Sequence, residues 1–300
     1  MQNFIQHLIN GVSLGSIYAL IALGYTMVYG ILQLINFAHS DVFMVGAYAS
    51  FYIARVMNID QSPGISSLVI LLLASMIGCS LLSLTIERLA YRPLRKAPKI
   101  NALITAIGVS LFLQYSGQVV FGVDPKTFPT VLEDSVIAKF GEVEIKSLNV
   151  AILLITLVMM GALHYLIYKT KLGKAMRATS TNMTVAALMG VNTDRVIAFT
   201  FVVGSCLAGV GSVLVGMQYP KIDPLMGTMW GMKAFIAAVL GGIGSIGGAV
   251  IGGIIMGFSE EMVSAYISST YRDAFAFGIL ILILIFKPAG LLGQNRIEKV

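Results

Sequence analysis

Charge is what this chain has least of. Asp, Glu, Lys and Arg make up 11% of its 300 residues, less than half the ~25% of a soluble domain. With 57% hydrophobic residues and a mean hydropathy of +0.87, a soluble fold is excluded and a polytopic membrane protein is implied. Cysteine is nearly missing. Cys79 and Cys206 both sit in apolar runs as small buried hydrophobes, which argues against a disulfide framework or a metal site. Acids are outnumbered 14 to 20 by bases, giving a net charge of +6. Those cations cluster beside apolar runs, a pattern that fits loops facing anionic lipid rather than nucleic acid.

Catalytic motifs are missing as well. The chain holds no G-x-x-x-x-G-K-[ST], no H-E-x-x-H and no Ser, His and acid that could share a soluble pocket, so no catalytic residue or cofactor is expected. It cannot hydrolyse ATP by itself. The first residues lack the basic start and small-residue cleavage site of a secretory signal, so residue 12 onward reads as a retained span.

What is there is apolar and segmented. A membrane-crossing helix needs about 20 apolar residues, and eight runs approach or reach that length: 12–35, 42–57, 65–86, 102–121, 148–168, 196–217, 229–258 and 274–286. The predicted fold is all-α, one permease-like domain over 1–300. Basic residues orient it. Arg88, Arg92, Arg95, Lys96 and Lys99 make the loop 87–100 cytoplasmic, whereas the acid-rich loop 122–147 should be external. The basic stretch 169–195 then returns to the cytoplasm. Lys287, Arg296 and Lys299 put the C-terminus there too, and counting backward places the N-terminus outside.

One conflict follows from that count. If 229–258 crossed once, the last segment would end outside, against its basic tail. GGIGSIGG at 241–248 interrupts the segment, so two half-helices that enter and leave on the outer side restore the parity. A similar polar break is predicted at 30–41, with Asn36, His39 and Asp41 between apolar helices. A charged group at bilayer depth costs roughly 2.5–3.5 kcal/mol on insertion scales, so such residues should line protein or water. The two breaks form at most a weak internal parallel. Asn36, His39, Asp41, Lys233, Gly242 and Gly244 are therefore the candidate substrate path.

Two readings of Asp41 stand at this point. It caps a helix beginning at Val42, the favoured reading, or it binds a proton with His39. Lys233 either snorkels to the interface, again favoured, or attracts a carboxylate from a water-filled path. His7 and His164 read as interfacial. Gly242, Gly244 and Gly247 spell G-x-G-x-x-G, but their apolar flanks exclude a dinucleotide fold. Glycine pairs at four-residue spacing, 11/15, 244/248, 248/252 and 253/257, instead mark close helix contacts. Asn182-Met-Thr184 matches a glycosylation triplet on a loop placed inside, where it is inert.

Within 169–195, Val185, Leu188 and Met189 recur at helical spacing beside polar Thr181, Asn182 and Thr184. The stretch reads as a short amphipathic helix that docks into a partner, or as an ordinary basic loop.

Asn10 to His39, Ile86 to Arg95, Ala187 to Val202, Gly231 to Gly253 and the final KPAGLLG together identify a resemblance. The chain resembles the LivH type of permease subunit of branched-chain amino-acid ABC transporters over nearly its full length. That resemblance implies an inner-membrane importer subunit forming half of a translocation path. It also implies a homologous, LivM-like second permease subunit, two ATP-binding subunits and a periplasmic binding protein delivering Leu, Ile or Val. Gly173, Lys174, Arg177, Ala186 and Gly190 would lie in the loop that contacts the ATPase. Urea or short amides are an alternative cargo, and an ion-coupled carrier working through Asp41 is the alternative mechanism. In this sequence Ser40 stands where such permeases usually have Gly, and Ser180, Thr181 and Asn182 where an acid is common.

Overall fold

The computed structural model describes residues 2–59, 62–95 and 97–293. Lys96, Arg296 and Lys299, and the side chain of Lys99, which entered the charge assignment above, lie outside the described residues. Among the described residues are eleven α-helices: α1 (Gln2–Leu32), α2 (His39–Val56), α3 (Ile65–Ile86), α4 (Lys99–Phe121), α5 (Ser147–Lys169), α6 (Lys171–Thr181), α7 (Met183–Leu188), α8 (Thr193–Gln218), α9 (Met226–Gly241), α10 (Ile246–Tyr266) and α11 (Arg272–Phe286). A π-turn at Glu87–Tyr91 and a tighter turn at Arg92–Leu94 prolong α3. Two small antiparallel ribbons complete the fold, β1 (Lys126–Thr127) with β4 (Lys221–Ile222), and β2 (Val136–Phe140) with β3 (Val143–Lys146). Among the described residues, seven helical stretches are long and apolar enough to cross a bilayer.

Inside a bilayer, apolar side chains gain little by leaving lipid, so helices associate through close packing of small residues. That is how α1 and α10 meet. A Cβ on Gly257 would lie 2.2 Å from the Gly15 nitrogen, and one on Gly253 would lie 2.6 Å from the Ala19 backbone. Gly252 is pressed as tightly onto the Ala237 carbonyl of α9. The glycine spacing read from the sequence therefore marks real contacts, except at Gly244, whose nearest neighbour is 4.0 Å away. α1 is almost wholly enclosed by α8, α9, α10 and α5, while α4 and α11 are largely bare at the periphery.

Contacts sort the loops into two faces. Gln6 Oε1 accepts from the Glu144 amide at 2.8 Å, and β1 pairs with β4, so the N-terminus, loop 122–147 and loop 219–225 share one face. On that face Lys139 holds the Glu144 carboxyl below the usual carboxylate range through a hydrogen bond at 2.7 Å. On the opposite face, Asp194 joins Arg92 and Arg95, and the Leu291 and Leu292 amides bond to the Leu240 and Gly241 carbonyls at 2.8 and 2.9 Å.

The run 229–258 is two helices, as the charge count required. α9 and α10 form a hairpin closed at 242–245, and its turn packs against residues 289–293. The boundaries differ from expectation. The hairpin reaches from Met226 to Tyr266, because Glu260, which ended the apolar run, is paired with Lys233 and Arg272 and Glu261 meets His7. α1 likewise begins at Gln2 rather than 12, and ends at Leu32, where Gln33 turns left-handed with φ +53°.

Candidate functional site

The first polar break occupies residues 33–38 and delivers α2 into the middle of the bundle. Three contacts fix its depth. Asp41 meets Ser110 at the centre of α4, Val42 meets Cys79 in α3, and His39 lies under Gly24 beside Gly204 in α8. Ser110, Cys79 and Gly204 lie in the middle parts of their helical stretches, so α2 starts about halfway across the bundle. α9 starts there too, since a Cβ on Gly227 would lie 2.3 Å from the Ser40 carbonyl. Two helix N-termini thus abut at mid-depth, the arrangement of discontinuous helices around a binding region in many transporters.

Consecutive side chains at the start of α2 serve different neighbours. Asn36 Oδ1 accepts from Tyr91 at 2.7 Å, tying the break to the turn after α3. His39 is buried with its ring edge-on to Tyr25, the centroids 4.7 Å apart, and its nitrogens meet no side-chain partner among the described residues. Ser40 donates to the Phe37 carbonyl at 2.8 Å, and its Cβ fills the space that Gly231 leaves open. Asp41 is fully buried, accepts from Ser110 at 2.5 Å and from Ser40 at 3.4 Å, and leaves Oδ1 without a partner.

That geometry corrects the capping assignment. The helix begins three residues earlier than expected, at His39, with Ala38 as its cap residue and no side-chain cap bond. Asp41 lies in the first turn and points across to α4, because Ser110 offers its carboxylate a hydroxyl at a depth without water.

Lys233 also departs from its favoured reading. It does not reach toward an interface. Its ammonium lies 2.6 Å from Glu260 of α10 and 2.7 Å from Asp273 of α11. Glu260, 1% exposed, is also ion-paired to Arg272 and accepts from Tyr18 of α1 at 2.6 Å. Arg272 reaches on to the Tyr219 hydroxyl at 3.3 Å, and Trp230, the only tryptophan, packs between the Tyr18 and Tyr219 rings. Two cations and two acids cancel, which is how charge persists among apolar helices. Glu260, Arg272, Asp273 and Tyr18 were missed by the sequence reading. A lone Lys and a pair of consecutive Glu in the apolar stretches flanking one glycine turn was the available signal.

Gly242 and Gly244 lie in the turn between α9 and α10. Both are left-handed, φ +104° and +94°, and form the hairpin turn; a Cβ on Gly242 would lie 2.3 Å from the Gly293 amide. His7 lies 3.0 Å from Glu261, and the His164 ring packs at a tilt against Tyr168, the centroids 4.6 Å apart.

The stretch 169–195 is an elbow of two helices rather than one. Thr170 caps α6 by accepting from the Gly173 amide at 3.0 Å, and Asn182 caps α7 through the Val185 amide at 3.0 Å. A Cβ on Gly173 would lie 2.2 Å from the Ile167 carbonyl, so only glycine lets α6 fold back on α5. Arg177 donates to that same carbonyl at 3.2 Å and lies over Tyr168, sealing the end of α5, while Lys174 stays exposed. Ala186 is buried at the elbow; Leu188 and Met189, 82% and 79% exposed, form its apolar tip. Gly190 follows at φ +85° with nothing near it. The sequence-derived sites therefore form four separate groups: residues 36–41 at mid-depth, Lys233 in the charge network, Gly242 and Gly244 in the hairpin turn, and the elbow.

The sequence matches known proteins along nearly all of its length. The profile of the family described as "Branched-chain amino acid transport system / permease component" matches residues 7–284. The chain is 45% identical to the high-affinity branched-chain amino acid transport system permease protein LivH of Salmonella typhimurium, covering 99% of this chain and 98% of that one. It is 43% identical to the permease protein BraD of Pseudomonas aeruginosa over 99% and 98%. It is 30% identical to a probable LivH of Methanocaldococcus jannaschii over 93% and 90%. An all-α membrane bundle broken at mid-depth, with a profile match from residue 7 to 284, places this chain in the family of branched-chain amino acid transport system permease components.

Proposed function

We propose that the chain is the membrane-spanning subunit of an ATP-driven importer for branched-chain amino acids. It forms half of the translocation path and contains no motor of its own. Two ATP-binding subunits supply the work, a homologous permease subunit completes the path, and an external binding protein delivers Leu, Ile or Val. The relatives' names support the cargo, and the elbow supports the coupling. The face with the elbow, loop 87–95 and residues 287–293 is cytoplasmic; the face with the N-terminus and loop 122–147 is external.

The apolar tip at Leu188 and Met189 carries this reading. Leu188 and Met189 are bare, next to exposed Val185, beyond the inner end of a bundle whose other ends are tied down by Arg95, Asp194 and the hairpin turn. Exposed apolar groups projecting past the lipid require a protein cleft. Gly173 and the two caps make the elbow rigid, so a push on its tip is delivered to α5 and α8.

Gly190 tests it. Any bulky residue there is forced into a left-handed conformation costing about 1–2 kcal/mol, which distorts the elbow without touching the core. In the assembled importer, Gly190→Leu should lower substrate-stimulated ATPase activity several-fold while thermal stability holds. Unchanged stimulation would remove the elbow from the coupling path.

A further inference from the structure

Resting on that reading of the cargo, we propose that Lys233 and Asp273 form an amino-acid-binding site that works by ion-pair exchange. The carboxylate of an incoming amino acid takes the Lys233 ammonium from Asp273. The freed Asp273 carboxylate takes the amino acid's ammonium.

The network divides into a fixed half and an exchangeable half. Glu260 is sealed at 1% exposure and held by Tyr18, Arg272 and Lys233. Asp273 has a single bond, to Lys233, and its side chain is 43% exposed. It sits in the first turn of α11, at the end of the short connection from α10. Of the four charged groups it alone can move without leaving a buried charge behind. Lys233, 12% exposed, keeps Glu260 as a partner throughout.

Electrostatics favour this cargo over a simple ion. Separating an ion pair at the edge of an apolar bundle is unfavourable unless each charge is given a new partner. A zwitterion brings one charge of each sign, so one internal pair becomes two pairs and the net charge stays zero. No proton moves and no bond forms. A carboxylate without an ammonium would leave Asp273 without its partner, and an amine without a carboxylate would leave Lys233 with Glu260 alone. The site therefore requires both α-substituents and reads nothing of the side chain.

Buried ion pairs are weak stabilisers compared with apolar replacements of similar volume, so packing alone does not explain this one. Its setting fits a ligand. Lys233 lies two turns into α9, whose start abuts that of α2 at mid-depth, and Trp230 on the same helix packs beside Tyr18.

The test is equilibrium binding of radiolabelled leucine to the assembled importer without its binding protein, next to ATP-driven uptake with it. The variant is Lys233→Met with Asp273→Asn, which deletes the exchangeable pair, preserves neutrality and leaves Glu260, Arg272 and Tyr18 bonded. Unlabelled leucine should displace the label, whereas leucinamide and 4-methylvalerate should compete at least tenfold less well. The double variant should assemble normally, bind at least tenfold more weakly and lose uptake; Lys233→Arg should retain both. Equal competition by leucinamide, or binding and uptake unchanged in the double variant, overturns the inference while leaving the importer reading intact. A wild-type complex that takes up no branched-chain amino acid would sink both.

Discussion

The packing of α1 against α10 makes a prediction whose sign reverses between two glycines. Gly257 sits where α10 crosses α1, and an added Cβ would lie 2.2 Å from the Gly15 nitrogen and 2.3 Å from its Cα. Ordinary contact begins near 3.4 Å, and both neighbours are backbone, so no side chain can turn aside. The helices would have to part by more than 1 Å along the most enclosed helix of the fold. Overpacking of this kind costs about 1–3 kcal/mol, and a backbone-to-backbone clash belongs at the upper end, roughly a 150-fold shift in the folding equilibrium. Gly161, in the middle of α5, has nothing within 4 Å, so alanine there adds no clash and removes backbone freedom, a gain of up to about 1 kcal/mol. Unfolding of purified Gly257→Ala and Gly161→Ala by titration with a denaturing detergent, followed by circular dichroism, should place the first below wild type and the second level or above. Equal midpoints for the two would refute the close approach of α1 and α10.

Three further outcomes follow from contacts already described. Glu87, 1% exposed, is held by Arg95, so Arg95→Met leaves a buried carboxylate unpaired; unfolding should come about 3 kcal/mol earlier, and Arg95→Met with Glu87→Gln should recover part of that loss. Asp41→Asn keeps an oxygen for Ser110, so ATP-driven uptake should persist and stay indifferent to a protonophore; uptake that follows the proton gradient instead would favour the ion-coupled carrier. Gly173→Ala, against the Ile167 carbonyl, should lift α6 from α5 and abolish ATPase stimulation more completely than Gly190→Leu; equal effects would show that the seat of the elbow does not matter.

Much of the architecture was legible because a bilayer leaves a helix few choices. Apolar length located most of the spans, although the run 42–57 proved to be α2, which starts at mid-depth and is not among the seven long apolar helical stretches. Lys and Arg grouped the loops, and the parity conflict at 229–258 called for the hairpin that α9 and α10 form. Glycines at four-residue spacing announced helix contacts for the same reason, since only small residues let backbones meet in lipid. Three-dimensional partnership was not legible. Asp41 looked like a cap because Ser110, 69 residues away, is invisible in a linear pattern. Lys233 looked like a snorkelling residue because Glu260 and Asp273 reach it only after three helices have packed. Local periodicity and charge are properties of neighbours along the chain and can be read from order alone. The energy of a buried polar group depends on what lies within about 3 Å of it, and only the tertiary fold decides that.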